Sequence, residues 1–258
     1  MKNAGFNGEG VLAIYRFEMA RAVRTLWQSL VTPVITTALY FVVFGAAIGS
    51  RMQHMDGIAF GAFIVPGLTL LSVFMQSIFN ASFGIYFPKF TGTIYELLSA
   101  PISSLEVVLA YVGAAVTKSM VLALITLATA TIFVDIRVEH PAMMLLFLFL
   151  ITTAFCMLGF VIGIWAQNFE QLQIIPMLIV TPLTFLGGAF YSTSALGEPW
   201  RTVTLFNPVV YLVSGFRWTF FGTADVPVWS SVAVMLAIIF ACLAAIVWVF
   251  KTGYRLKQ

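Results

Sequence analysis

Charge is scarce in this sequence. Asp, Glu, Lys and Arg make up 9% of its 258 residues, against 61% that are hydrophobic. Soluble domains devote about a quarter of their residues to charge, so a chain this poor in it cannot cover a water-facing surface. The net charge of +3 is small and scattered, which argues against nucleic acid as a partner. Cysteine is nearly absent too. Cys156 and Cys242 each lie alone in an apolar run and read as small packing residues, not as a disulfide or metal site. Histidine is limited to His54 and His140, both expected as solvated residues of short external loops.

Several motifs are missing. No G-x-x-x-x-G-K-[ST] phosphate loop occurs, so the chain is not expected to hydrolyse nucleotide by itself. Neither H-E-x-x-H nor G-x-S-x-G is found, and no catalytic, cofactor-binding or metal-ligating set emerges. Asp135, Glu139, Glu170, Glu198 and Asp225 fall at or beyond the ends of the apolar runs, so a proton- or sodium-coupled carrier lacks its relay. Met1–Gly10 is polar and no signal-peptide core follows it directly, while the first apolar run is long enough for an uncleaved anchor. Energy comes from another chain, or the protein is passive.

What the sequence does have is length of apolar run. Six stretches stand out, at about 30–48, 58–83, 107–134, 141–165, 174–191 and 230–250. Each is near the roughly 20 residues needed to cross hydrocarbon as a helix. None alternates as the strands of a membrane β-barrel do. The expected fold is an all-α polytopic membrane protein, one domain over 1–258, with six transmembrane helices. Placing both termini in the cytoplasm puts Lys2, Arg16, Arg21, Arg24, Lys89, Lys251, Arg255 and Lys257 inside. Only Arg51, Arg137, Arg201 and Arg217 then lie outside, in keeping with the positive-inside bias. Lys118 falls within the third run and is expected to snorkel toward the cytoplasm.

Three segments between the runs carry more information. In 10–29 and its junction with Leu30, the residues Leu12, Tyr15, Met19, Val23, Leu26 and Leu30 recur at steps of three and four. Glu18, Arg21, Thr25 and Gln28 mark the opposite stripe. This predicts an amphipathic helix lying in the interface, anchored by Arg21, Arg24 and Trp27. The second segment, 87–105, is longer than a minimal connection and is punctuated by Pro88 and Pro101. Ile94, Leu97 and Leu98 sit there at helical spacing beside Glu96, predicting a short cytoplasmic helix whose apolar side chains need a covering surface. The third, 192–229, is rich in aromatics but interrupted by Pro208, Gly215 and two arginines. Short external re-entrant helices are expected, after a bend at Gly187 and Gly188.

Four stretches then carry a resemblance: VTPVITTALYFVVFG in the first run, FIVPGLTLLSV in the second, FTGTIYELLSAPIS between the second and third, and TPLTFLGGAFYSTSALGEPWRTVTLFNPVVYLVSGFRW near the end. In order, spacing and topology the chain resembles the membrane subunits of type-2 ABC exporters. It is most similar to the branch of bacterial multidrug permeases and nodulation-factor exporter permeases. The resemblance implies a multi-pass permease of the bacterial inner membrane. Two copies pair, and each docks one cytoplasmic ABC ATPase subunit, which binds the ATP and Mg. It implies that 10–29 is a connecting helix and that 87–105 holds the coupling helix, with Glu96, Leu97, Leu98 and Pro101 at the ATPase. It also implies that 192–229 closes an external gate, to which Gly187, Gly188, Phe206, Asn207, Pro208, Tyr211 and Arg217 belong. The first, second and fifth spans of each copy would border a central pathway for an amphipathic, lipid-like, drug or glycan-linked substrate. A passive channel or membrane scaffold without an ATPase is the alternative.

Overall fold

The computed structural model describes residues 6–43, 54, 55 and 57–255. Residues 44–48 of the first apolar run lie outside the described residues, as do Lys2, Arg51 and Lys257 and the side chains of Leu26, Gln28, Leu30 and His54. Two helices, α1 (Gly8–Arg24) and α2 (Leu26–Val43), are followed by a small antiparallel pair, β1 (His54–Met55) and β2 (Ile58–Ala59), with His54 opposite Ala59. Then come α3 (Phe60–Thr91), α4 (Ile94–Ser99), α5 (Ser104–Phe133) and α6 (Pro141–Trp165). α7 (Phe169–Ile175) runs through a π-turn at Pro176–Val180 into α8 (Thr181–Leu186). α9 (Trp200–Thr204), α10 (Pro208–Phe221) and α11 (Val228–Thr252) complete the chain.

Among the described residues, five segments are long and apolar enough to cross a bilayer: α3, α5, α6, the continuous Phe169–Leu186 and α11. The apolar part of α2, Val31–Val43, is shorter. Helix α3 continues about two turns beyond the apolar run that predicts it, so the segment expected to begin at Phe87 is helical as far as Thr91. Aromatic rings explain the extension. Phe83 stacks on Phe87 at 5.6 Å, while Tyr86 and Phe90 both meet Phe169 edge-on at 4.8 and 4.9 Å. Gly92, at φ 81°, then ends the helix. The start of α5 is fixed by a capping box between Ser103 and Glu106.

The spine of the molecule is the packing of α3 on α6. Gly159 and Gly163 on α6 face Ile78 and Ser82 on α3, and a Cβ at either glycine would overlap that backbone. Small residues four apart let two membrane helices approach this closely. Phe74 and Phe155 stack across the same seam at 4.1 Å. A second cluster, with Tyr111, Phe160 and Ile246, joins α5, α6 and α11.

Helix α1 is built differently from the predicted stripe. It runs alongside the first half of α5: Gly10 faces Ile102, and the Tyr15 hydroxyl lies 3.0 Å from that of Thr117. Its buried positions are Glu18 and Ala22, whereas Val23 is 61% exposed. Of the polar stripe, Glu18 is buried and Arg21 half-buried, with Arg21 donating to one oxygen of Glu18, while Thr25 is exposed. Of the apolar stripe, Leu12 and Val23 are exposed while Tyr15 and Met19 are half-buried, and the outward face also carries Arg16 and Arg24.

Candidate functional site

Helix α4 is fixed to the bundle by its apolar face. Ile94 is buried in the second core cluster, and Leu97 and Leu98 pack half-buried against the same cluster. Tyr95 and Glu96 are exposed, so they form the outward face of the helix. Pro101 accepts a hydrogen bond from Asn7 at its carbonyl. The Glu106 carboxylate ties the surroundings together: one oxygen accepts from the Ser103 backbone and the other from the Asn7 backbone, each at 2.6 Å. A single buried carboxylate thus joins the N-terminal ends of α1 and α5.

Above this lies a cavity of about 570 Å³ between α1, α2, α3, α5 and the α7–π-turn segment. Arg21 and Lys118 both line it. Arg21 pairs with Glu18 at 2.5 Å and lies over the Phe83 ring at 5.2 Å. Burial pushes the Glu18 carboxyl above its ordinary range, against the pull of Arg21 and Lys118. A smaller cavity, about 260 Å³, adjoins it through Thr32, Met75 and Gln76 and ends near Leu68 and Phe185.

The 187–225 region is built around Arg217. This residue is 3% exposed on α10, yet its guanidinium pairs with Asp225 at 3.2 Å, donates to the Gly188 carbonyl at 2.5 Å and covers the Phe63 ring of α3 at 4.0 Å. Asp225 also accepts from the Ser192 hydroxyl at 2.9 Å. Gly188 holds φ at 77°, open to glycine at little cost, and Gly67 of α3 leaves room for the Ala189 carbonyl. Asn207 caps α10 by accepting from the Val209 N–H, while its amide donates to the Leu183 carbonyl at 2.6 Å. Pro208 follows at the first helical position.

Of the residues singled out from sequence, Gly187, Gly188, Asn207, Pro208 and Arg217 are thus brought to one place. Tyr211 sits beside them and donates to the Leu205 carbonyl, and Phe206 projects outward at 85% exposure. Arg24 and Trp27 face outward, whereas Arg21 turns into the cavity. His140 is exposed and stacks on Trp218 at 4.6 Å. Sequence reading missed Glu106, although Ser103-x-x-Glu106 is a recognisable capping pattern. It also missed Phe63 and the meeting of Glu18, Arg21 and Lys118, for which no local pattern exists.

Comparison with known proteins agrees with this geometry. The ABC-2 type transporter family matches residues 9–221. The inner membrane transport permease YadH of Escherichia coli K12 is 37% identical over 229 residues, covering 89% of this chain and 90% of that protein. Nodulation protein J of Rhizobium meliloti is 22% identical over 217 residues, 82% of this chain and 81% of its own length. With the match running from α1 through α10, the chain belongs to the ABC-2 type transporter family and is a multi-pass membrane transport protein.

Proposed function

We propose that this chain is the permease subunit of an ATP-driven exporter in the inner membrane. Two copies work with two copies of a separate ABC ATPase, which holds the ATP and Mg. The chain crosses the membrane six times with both termini cytoplasmic, α2 serving as the first span. The observation that carries the reading is α4. It is anchored inward by Ile94 and presents Tyr95 and Glu96 outward, between the ends of the long helices α3 and α5. A partner that moves α4 moves both helices. The Arg217 hairpin supplies the outer gate, and the cavities between α2, α3 and the Phe169–Leu186 segment supply the path for an amphipathic, drug-like, lipid-like or glycan-linked substrate.

The test is to purify the chain from native membranes and identify what remains bound. An ABC ATPase in equal number is expected, with substrate export dependent on its hydrolysis. Glu96→Arg is expected to weaken that association while leaving the chain inserted. Full transport by a preparation lacking any ATPase would refute the reading.

A further inference from the structure

Around the larger cavity two cations, Arg21 and Lys118, stand against one carboxylate, Glu18, which leaves an excess of positive charge. Arg21 and Lys118 line it, and no Asp or Glu is among its lining residues. Glu18 pairs with Arg21, both lie beside Gly84, and the one carboxylate acts electrostatically on Arg21 and Lys118 together. Among the described residues, no ion pair involves Lys118. Lys118 stands about 21 Å along α5 from Ser104, near the middle of a membrane-length helix. A cation at that depth is costly unless it meets a counter-charge or water, which is why such residues mark ligand paths. Two like charges facing one space repel each other, and an anion between them relieves both.

The remaining walls define the rest of the ligand. Gln76, Asn80 and Gln173 bring amides to the same cavity, while Phe79, Phe83 and Met177 form apolar wall. The volume of about 570 Å³ suits a headgroup with the beginning of an apolar body. The adjoining cavity has no charged lining residue; Tyr40, Leu68 and Phe185 share its wall with hydroxyls such as those of Thr36 and Thr37. One end is cationic and the other neutral, the polarity of an amphiphile.

We propose that this cavity binds the headgroup of an anionic amphiphile, a phosphate or carboxylate on an apolar body, with Arg21 and Lys118 as the recognising cations. The inference rests on the export reading above and narrows its substrate from amphiphiles in general to acidic ones. Arg21 is held in place by Glu18 and Phe83, so it offers a fixed fork to two oxygens of the head. Lys118 closes from the opposite wall as a point charge.

The probe is a medium-chain alkyl phosphate carrying a photoactivatable diazirine in its tail, applied to the full permease–ATPase complex. Cross-links are mapped by mass spectrometry. The same tail bearing a glucoside head and a trimethylammonium head serves for comparison. The phosphate probe is expected to label Phe79, Phe83 and Met177 about tenfold or more above the other two, the ratio one charge-assisted contact gives. Lys118→Gln is expected to reduce it to their level, and Lys118→Arg to restore it. Lys118→Gln removes a half-buried charge and keeps a polar side chain of the same number of heavy atoms, and an unchanged elution profile on size exclusion checks that the variant folds. The double variant Glu18→Gln with Arg21→Gln removes the other cation without stranding its partner, and is expected to give the same loss. Equal labelling by the glucoside or ammonium probe, or undiminished labelling in Lys118→Gln, overturns the inference and leaves the export reading intact. ATP turnover is expected to clear the label. Charge-selective labelling that ignores turnover identifies a resident bilayer lipid and overturns the substrate assignment. A chain that purifies without an ATPase fails the export reading instead, and the labelling, which needs no ATP, still decides whether the site selects anions.

Discussion

At the scale of single residues, the strongest commitments are buried charges with named partners. Arg217 is enclosed by Asp225, the Gly188 carbonyl and the Phe63 ring, so it fastens α10 to the turn before it and to α3 at once. Removing one member of a buried pair leaves the other uncompensated, at a cost of about 3–5 kcal/mol. Asp225→Asn is therefore expected to lower the thermal unfolding midpoint of the purified protein by several degrees. It is also expected to change the reactivity of a cysteine placed at Phe206 toward external thiol reagents. An unchanged midpoint with unchanged reactivity would show that the pair does not fasten the hairpin. Glu106 is a different case, because its oxygens satisfy backbone donors at two helix starts. Glu106→Ala is expected to cost about 1–3 kcal/mol, read as earlier unfolding in a thermal melt.

At the scale of elements, α6 meets α3 through glycine and not through complementary side chains. Gly159→Val would force the Ile78 backbone away, and overpacking of this kind costs about 1–3 kcal/mol or more. Loss of monodisperse protein on size exclusion is the expected result, and Gly197→Val, which meets open space, is the control. The elements were also the most legible part of the sequence. α6 coincides with its predicted run, α11 differs from its run by two residues at each end, and α5 by three at its start and one at its end, because long apolar stretches with Pro141 and Ser103 at the starts of α6 and α5 leave little choice. α1 was legible as a helix, but not which of its residues would be buried. Periodicity identifies two faces, and only tertiary partners decide which is buried. Glu18 went inward because Arg21 stands one turn away and α5 lies alongside. The reach of α3 past Phe83 was hidden for a similar reason, since its stacking partner Phe169 lies far along the chain.

At the scale of the whole molecule, exposed apolar side chains flank the cavity on both sides: Ile35 and Leu39 on α2, and Met177, Leu178 and Leu186 on the Phe169–Leu186 segment. If two copies meet along this margin, their cavities face each other. Ile35→Cys or Met177→Cys is then expected to form a cross-linked dimer in membranes under mild oxidation, whereas Phe240→Cys on α11 is not. Cross-linking only at Phe240→Cys would move the interface to the other side. The candidate path itself was not legible in the sequence, because Arg21, Gln76, Lys118 and Gln173 come from four separate segments and share no local pattern. The outer hairpin was partly legible: its turn residues carry strong backbone signals, while Phe63 and Asp225 become partners only through the fold.

Helix α3 touches the surroundings of α4 at one end and the Arg217 hairpin at the other, through Phe63 and Gly67. Between Pro66 and Pro88 no proline interrupts it, a stretch of about 30 Å at 1.5 Å per residue. Mechanically this is a stiff lever whose fulcrum is the glycine seam on α6. Gly67 lies about 20 Å from that fulcrum, so a tilt of about 5° displaces it by roughly 2 Å. Under the proposed docking at α4, a push there passes through Gly92 and Thr93 into α3 and is expected to shift α3 against the Ala189 carbonyl at the other end.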